Sequence, residues 1–289
     1  MISKYLNKDV ALLLGNGINR YESENNSWEK ILLDICKNHG KEFDSIPKMF
    51  PYTEIFDVII SSENVKDDIL KKEFVELLEK MEESKTHKKI IEDCREKGSD
   101  ILTSNFDSTL EKAHNYVPFS RDKLDKGFTQ RYPWQRYYSK NAKNNNEKKY
   151  PKVWHIQGDA HYHQSLRLTV KDYTYSCNHF NKYDPFNKKT IYHKTDTWVN
   201  AFFEKKLLIV GLALEEQEFF LRSLFYKKKK YIKDEKAGWY ICCREDTNLF
   251  GEKEATEIKG NDNYKKLEFF AKAVGLELVT VDTWKEIYG

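Results

Sequence analysis

The feature that most constrains this chain is the run Val10-Ala11-Leu12-Leu13-Leu14, stopped by Gly15-Asn16-Gly17. Five apolar residues are too few for a long buried helix, and between polar flanks and a glycine pair they read as a strand buried on both faces. Glycines at the strand's end allow positive φ and a close approach of backbone to a ligand. Strand-to-glycine-loop units commonly receive a phosphate on their amides. The dinucleotide fingerprint is incomplete, because Arg20 stands where its third glycine would be. No P-loop Lys-Ser/Thr follows. A tight turn after a core strand explains the same residues equally well.

Further strands punctuate the chain. Asp100 to Asp107, Val153 to Asp159, Leu166 to Val170, Lys206 to Gly211, Trp239 to Cys243 and Leu276 to Val281 all read as strands. Helical spacing intervenes: Trp28, Ile31, Leu32, Ile35 and Cys36 after an N-cap at Ser27, a mostly helical stretch from Glu54 to Glu96, and helices on Phe219–Phe225 and about Tyr264–Val274. Val117 to Tyr150 reads as irregular, aromatic and basic. The alternation predicts an α/β fold, a Rossmann-like, mainly parallel sheet in three layers with a helical side or cap subdomain. With 289 residues, one domain over 1–289 carrying a helical insertion at about 54–97 is expected.

Composition narrows the function classes. Apolar residues make up 39% and charged residues 33%, and no apolar run is long enough for a membrane helix. The N-terminus has no signal-peptide apolar region, so a cytoplasmic protein is expected. A net charge of +3 is too small to argue for nucleic acid by itself. Lys227–Lys230 and the polar loop at 140–149 leave nucleic acid as a minor reading, after a solvated helix terminus and a surface loop. The five cysteines, Cys36, Cys94, Cys177, Cys242 and Cys243, contain no C-x-x-C, which predicts idle thiols and neither disulfides nor zinc.

Four strand ends carry polar or glycine-rich tips. They are Leu14-Gly15-Asn16-Gly17-Ile18-Asn19, followed by Ser27-Trp28; Thr103-Ser104-Asn105-Phe106-Asp107; Trp154-His155-Ile156-Gln157-Gly158-Asp159; and Gly211-Leu212-Ala213-Leu214-Glu215 with Glu218. Polar residues at the carboxyl ends of strands are where open α/β sheets bind ligands, although Ser104 or Asp107 would equally serve as helix caps. In order and spacing, from about Val10 to Phe225, these motifs resemble the sirtuin-like (silent-information-regulator-type) family, and within it the prokaryotic branch of antiphage defence.

The resemblance implies NAD bound across the strand ends and cleaved to nicotinamide and ADP-ribose. Gly15, Asn16, Gly17, Asn19, Ser104, Asp107, Gly211 and Glu215 would hold it. Asn105 would position the nicotinamide ribose and a water. Gln157 stands where the family carries its acid-base histidine, and an amide can hydrogen-bond but cannot take up a proton at neutral pH. His155, two residues earlier and on the same strand face, is the other candidate. No cysteine lies between Asn105 and Gln157, unlike in zinc-carrying deacetylases. The implied activity is an NAD glycohydrolase, with no zinc, acting as a homo-oligomer or with a partner defence protein and away from membranes. A non-hydrolytic NAD- or ADP-ribose-binding regulatory module is the alternative.

Overall fold

A computed structural model of the chain describes residues 1–41, 44–46, 50–63, 65–119, 132–141, 149–187, 196–214, 218–233, 235–250 and 261–289. Among them eight strands form one sheet: β1 Val10–Leu14, β2 Ile101–Thr103, β3 Val117–Phe119, β4 Tyr137–Ser139, β5 Val153–His155, β6 Lys206–Val210, β7 Gly238–Cys243 and β8 Leu276–Val281. Their spatial order is β3-β4-β5-β2-β1-β6-β7-β8. The run from β5 to β8 is parallel, and β3 and β4 add an antiparallel edge. This is the Rossmann-like α/β architecture.

Three layers follow from side-chain alternation. Ala11, Leu13, Leu207 and Ile209 point into one apolar cluster with Trp198, Phe202, Phe220 and Phe225. Val10, Leu12, Leu14, Leu208 and Val210 point into a second, with Ile18, Ile90, Ile91 and Ile287. A strand with helices on both faces has no polar side, so β1 carries no polar residue.

Helices Trp28–Asn38, Tyr52–Glu63 and Asp67–Leu78 share a third cluster, which also receives Phe106, Leu166 and Leu168 from the segments after β2 and β5. These helices therefore sit at the carboxyl ends of the strands. Helix Lys85–Lys97 instead buries Ile90, Ile91 and Cys94 against the sheet. Ser27 caps Trp28–Asn38 by accepting the Lys30 N–H at 3.2 Å, as its sequence position predicts.

Several expectations are corrected. Leu166 to Val170 is not a strand. Thr169 accepts the Asp172 N–H at 3.2 Å and Asp172 accepts the Thr169 N–H at 3.2 Å, so a Thr-x-x-Asp capping box opens helix Val170–Phe180 there. β2 and β5 end at Thr103 and His155, short of Asp107 and Asp159, because their tips turn away to make loops. The stretch 117–150 holds β3 and β4.

Lys227–Lys230 do not form a row of solvated cations. Lys227 pairs with Asp184 at 2.7 Å. Lys228 is buried and donates to the carbonyls of Phe202, Phe203 and Lys205 at 2.8, 3.0 and 2.7 Å, closing the carboxyl end of helix Trp198–Glu204. Of the loop at 140–149, residues 142–148 lie outside the described residues. No described helix is long and apolar enough to cross a membrane.

Candidate functional site

Register puts Val210, Leu14, Thr103 and His155 side by side across β6, β1, β2 and β5. This row is the carboxyl rim of the sheet. The chain runs from β1 to β2 and β5 on one side, then returns to β6, β7 and β8 on the other. The switch point of such a sheet, here between β1 and β6, is where open α/β folds take their ligands.

At the switch point the two loops touch. The Gly15 N–H donates to Val210 O at 2.9 Å and the Gly17 N–H to Gly211 O at 2.8 Å. A Cβ on Gly15 would lie 2.5 Å from Leu212 Cα, and one on Gly17 would lie 2.6 Å from Gly211 Cα. Gly211 has φ 61°, a region that favours glycine. These glycines are needed for the loops to pack against each other. Gly15→Ala should cost about 1–3 kcal/mol through forced overpacking, read as a lower denaturant midpoint. An unchanged midpoint would mean the loops separate freely.

Asn16, Asn19 and Asp107 form a buried polar cluster. Asn19 Nδ2 donates to Asn16 Oδ1 and to Asp107 Oδ2, each at 2.8 Å, and Asn16 Nδ2 donates to Asn26 O at 2.8 Å. Asp107 Oδ1 accepts from the Thr109 N–H at 3.1 Å and from its hydroxyl. His87 completes the group. Its Nδ1 accepts the Ser84 N–H at 3.1 Å, so its Nε2–H donates to Asn19 Oδ1 at 2.9 Å. Burial lowers the His87 pKa, more than the neighbouring Asp107 and Glu22 charges raise it, which suits this neutral tautomer. These side chains fix the glycine loop and the β2 tip to each other. Ser104 is half-buried, and its N–H donates to Leu14 O at 3.1 Å. Glu215 lies outside the described residues.

Asn105, Gln157 and His155 come from the adjacent tips of β2 and β5, and each is only 2% exposed. Asn105 Nδ2 donates to Gly15 O at 3.3 Å, which turns Oδ1 away, buried and without a hydrogen-bond partner. Gln157 Nε2 donates to Glu218 Oε2 at 3.2 Å. A carboxylate only accepts, so the amide's Oε1 must face elsewhere, and it too has no partner. Two buried amide oxygens thus stand at neighbouring strand tips with unused acceptor capacity.

His155 is committed on both sides. Its Nδ1 meets Asn105 O at 2.7 Å and its Nε2 meets Glu111 Oε1 at 2.6 Å. Both oxygens only accept, so both nitrogens carry hydrogen and the ring is an imidazolium. Burial alone would lower its pKa, but the Glu111 charge and hydrogen bond outweigh that and raise it to about 9. The expectation that His155 and Gln157 share a face fails because β5 ends at His155 and the chain turns through Ile156 and Gln157. Alternation does not survive the end of a strand.

Other groups gather beside Gln157. The Arg167 N–H donates to Gln157 O at 3.0 Å. The Arg167 guanidinium stacks 4.3 Å from the Tyr132 ring centre, with Nε and one Nη lacking partners. Glu111, His87 and Arg167 escaped sequence reasoning as site members, and Glu218 entered it only as the last residue of the fourth strand-tip motif. Of the first three, only His87 left a local signal, at the last position of a Ser-x-x-His capping box.

The thiols lie apart. Cys36, Cys94, Cys242 and Cys243 are buried and free, and burial pushes Cys242 up to about 12. Among the described residues no three or more His, Cys, Asp or Glu side chains are placed to hold a metal.

Residues 99–268, more than half of the chain, match the family model described as SIR2-like domain. No curated protein matches the chain.

Proposed function

The chain belongs to the SIR2-like domain family, and we propose that it is an NAD glycohydrolase that releases nicotinamide and leaves ADP-ribose. The observation that carries this reading is the pair of buried, unpartnered acceptors Asn105 Oδ1 and Gln157 Oε1. An unsatisfied buried polar atom costs about 1–3 kcal/mol. A cost incurred twice at adjacent strand tips is offset when a ligand supplies donors. Ribose hydroxyls and a carboxamide NH₂ are such donors, and NAD carries both. Asn105 would hold the nicotinamide ribose and the attacking water. His155 and Glu111 would be positioning residues, since His155 holds the Asn105 carbonyl and Glu111 holds His155, and neither holds the substrate. The buried cluster of Asn16, Asn19 and Asp107 would shape the loop under the dinucleotide, with Gly15, Gly17, Gly211, Ser104 and Glu215 around it.

Residues 1–289 would work as one domain, with a helical insertion of about 54–97 whose helices Tyr52–Glu63 and Asp67–Leu78 stand over the site while Lys85–Lys97 packs on the sheet. The resemblance of its strand-tip motifs to antiphage enzymes supports a cytoplasmic defence role. NAD would be depleted on a trigger, by a self-assembled oligomer or with a partner protein.

Gln157 favours a second reading, a module that binds NAD or ADP-ribose without cleaving it, because an amide cannot exchange protons near neutral pH. Assaying nicotinamide release beside calorimetric titration with NAD separates the two. Release identifies the hydrolase, and binding without release identifies the module. The fold should also stand without zinc. Metal analysis should find no stoichiometric zinc, and chelator should leave the thermal midpoint unmoved. A bound equivalent with unfolding on chelation would contradict this.

A further inference from the structure

We propose that Glu218 takes the proton that the family histidine would take, making it a catalytic residue of the hydrolysis proposed above; the inference rests on that reading. Among the described residues the rim has few candidates. His155 has both nitrogens committed and is already protonated. Glu111 is 3% exposed and binds that imidazolium. Asp107 holds Asn19 and Thr109. Asp159 is ion-paired with Arg136 at 2.9 Å and accepts the Tyr138 hydroxyl at 3.0 Å.

Glu218 differs in position. It is the N-cap residue of helix Phe219–Ile232, where a carboxylate normally accepts a backbone N–H, yet it makes no such side-chain cap. Its Oε2 instead accepts from Gln157 Nε2 at 3.2 Å. The carboxylate thus reaches the side chain that occupies the histidine position. Gln157 becomes the group that orients it, with the amide NH₂ toward Glu218 and the unpartnered oxygen left to accept from the substrate. Glu218 is half-buried, so a proton it accepts can pass to water. Tyr173 stands close enough to feel the Glu218 charge, and Arg167 and Asp172 stand near Tyr173 in turn. Burial raises the Tyr173 pKa well above that of a free phenol, and the Glu218 charge adds to this.

The step balances without a further reactant. The bond between ribose C1′ and the nicotinamide nitrogen breaks, and its electron pair leaves with nicotinamide, which becomes neutral. A water oxygen bonds to C1′. The proton lost by that water goes to the Glu218 carboxylate and then to solvent. The family's imidazole is thereby replaced by a carboxylate held by an amide, two residue types that together bring an acceptor to the same place.

The test is nicotinamide release and NAD affinity for the native chain, Glu218→Gln and Glu218→Asp, each with and without azide. A positioned base contributes about 10²–10⁴-fold, so Glu218→Gln should lose that much in kcat while binding NAD within a few-fold of native. Azide needs no proton removed, so it should restore nicotinamide release in Glu218→Gln. Glu218→Asp should keep part of the native rate, and it tests the idea if the glutamine variant fails to fold. Glu218→Gln turning over within threefold of native would overturn the proposal and leave the hydrolase reading standing. Loss of NAD binding in Glu218→Gln would also overturn it, by making Glu218 a binding residue. A native chain that binds NAD without cleaving it would overturn the hydrolase reading, and this inference with it.

Discussion

Asn105→Ala should lower nicotinamide release by about 10²–10³-fold, the usual cost of removing one polar group aimed at a transition state. NAD affinity should stay within a few-fold, because on the proposed reading the β1 and β6 tips also hold the dinucleotide. The fold should survive for a specific reason. His155 is bound by the Asn105 backbone carbonyl, at 2.7 Å, and not by its side chain. The Asn105 N–H donates to Thr103 Oγ1 at 3.1 Å, and alanine keeps that bond too. Only the Nδ2 bond to Gly15 O and the unpartnered Oδ1 are lost. Steady-state kinetics with a parallel binding titration checks this. A variant with the native rate would return Asn105 to a turn residue that merely ties β2 to the glycine loop.

His155→Ala should cost about 3–5 kcal/mol of stability, because it leaves the Glu111 carboxylate buried and unpaired. The pair also predicts a pH dependence. The His155 pKa is raised to about 9 when folded, against about 6.5 when unfolded. Its contribution is therefore fully present below about pH 6.5 and is lost as pH rises through about 9. The size is on the order of 3 kcal/mol. Lys228 works in the opposite direction. Burial lowers its pKa to about 7, against about 10.5 unfolded, so its penalty is largest below pH 7 and lifts as pH rises toward about 10.5. The native chain should show a shallow profile in which the two partly cancel. Lys228→Met should expose the His155 limb as a stability that falls between pH 6.5 and 9. Denaturant midpoints at pH 6, 7.5 and 9 check both. A Lys228→Met profile that rises with pH would mean that His155 is neutral.

The parts of this fold legible in the sequence are those with a local cause. β8 runs from Leu276 to Val281, the bounds read from the sequence, and β1 ends where the glycine pair begins. β1 is buried along its whole length, and a continuous apolar run is the mark of such a strand. β3 and β4 have three residues each, and Val117 and Pro118 are exposed, so neither periodicity nor apolarity announced them. Leu166–Val170 carried a strand-like run, but Thr169 and Asp172 wrote a capping box into it.

The rim was legible at its backbone. Glycine and asparagine tips identify Gly15, Asn105 and Gly211 as neighbours, and the sheet order places β1 beside both β2 and β6. What fills the rim was not legible. Glu111 meets His155 across 44 positions and His87 meets Asn19 across 68, and no local pattern encodes such pairings. Glu218 was hidden by a good local explanation, since carboxylates at a helix start suit the helix dipole. Its bond to Gln157 depends on how β5 and the segment after β6 converge, which is tertiary structure.

The most direct measurement is an experimental structure of the chain with ADP-ribose, the product that keeps the dinucleotide frame. The ligand should lie along the tips of β1, β2, β5 and β6. Its terminal ribose hydroxyls should lie within hydrogen-bond distance of Asn105 Oδ1 and Gln157 Oε1, with Glu218 against Gln157 on the side open to water. ADP-ribose bound elsewhere, or bound at the rim with both amide oxygens still unpartnered, would contradict this placement.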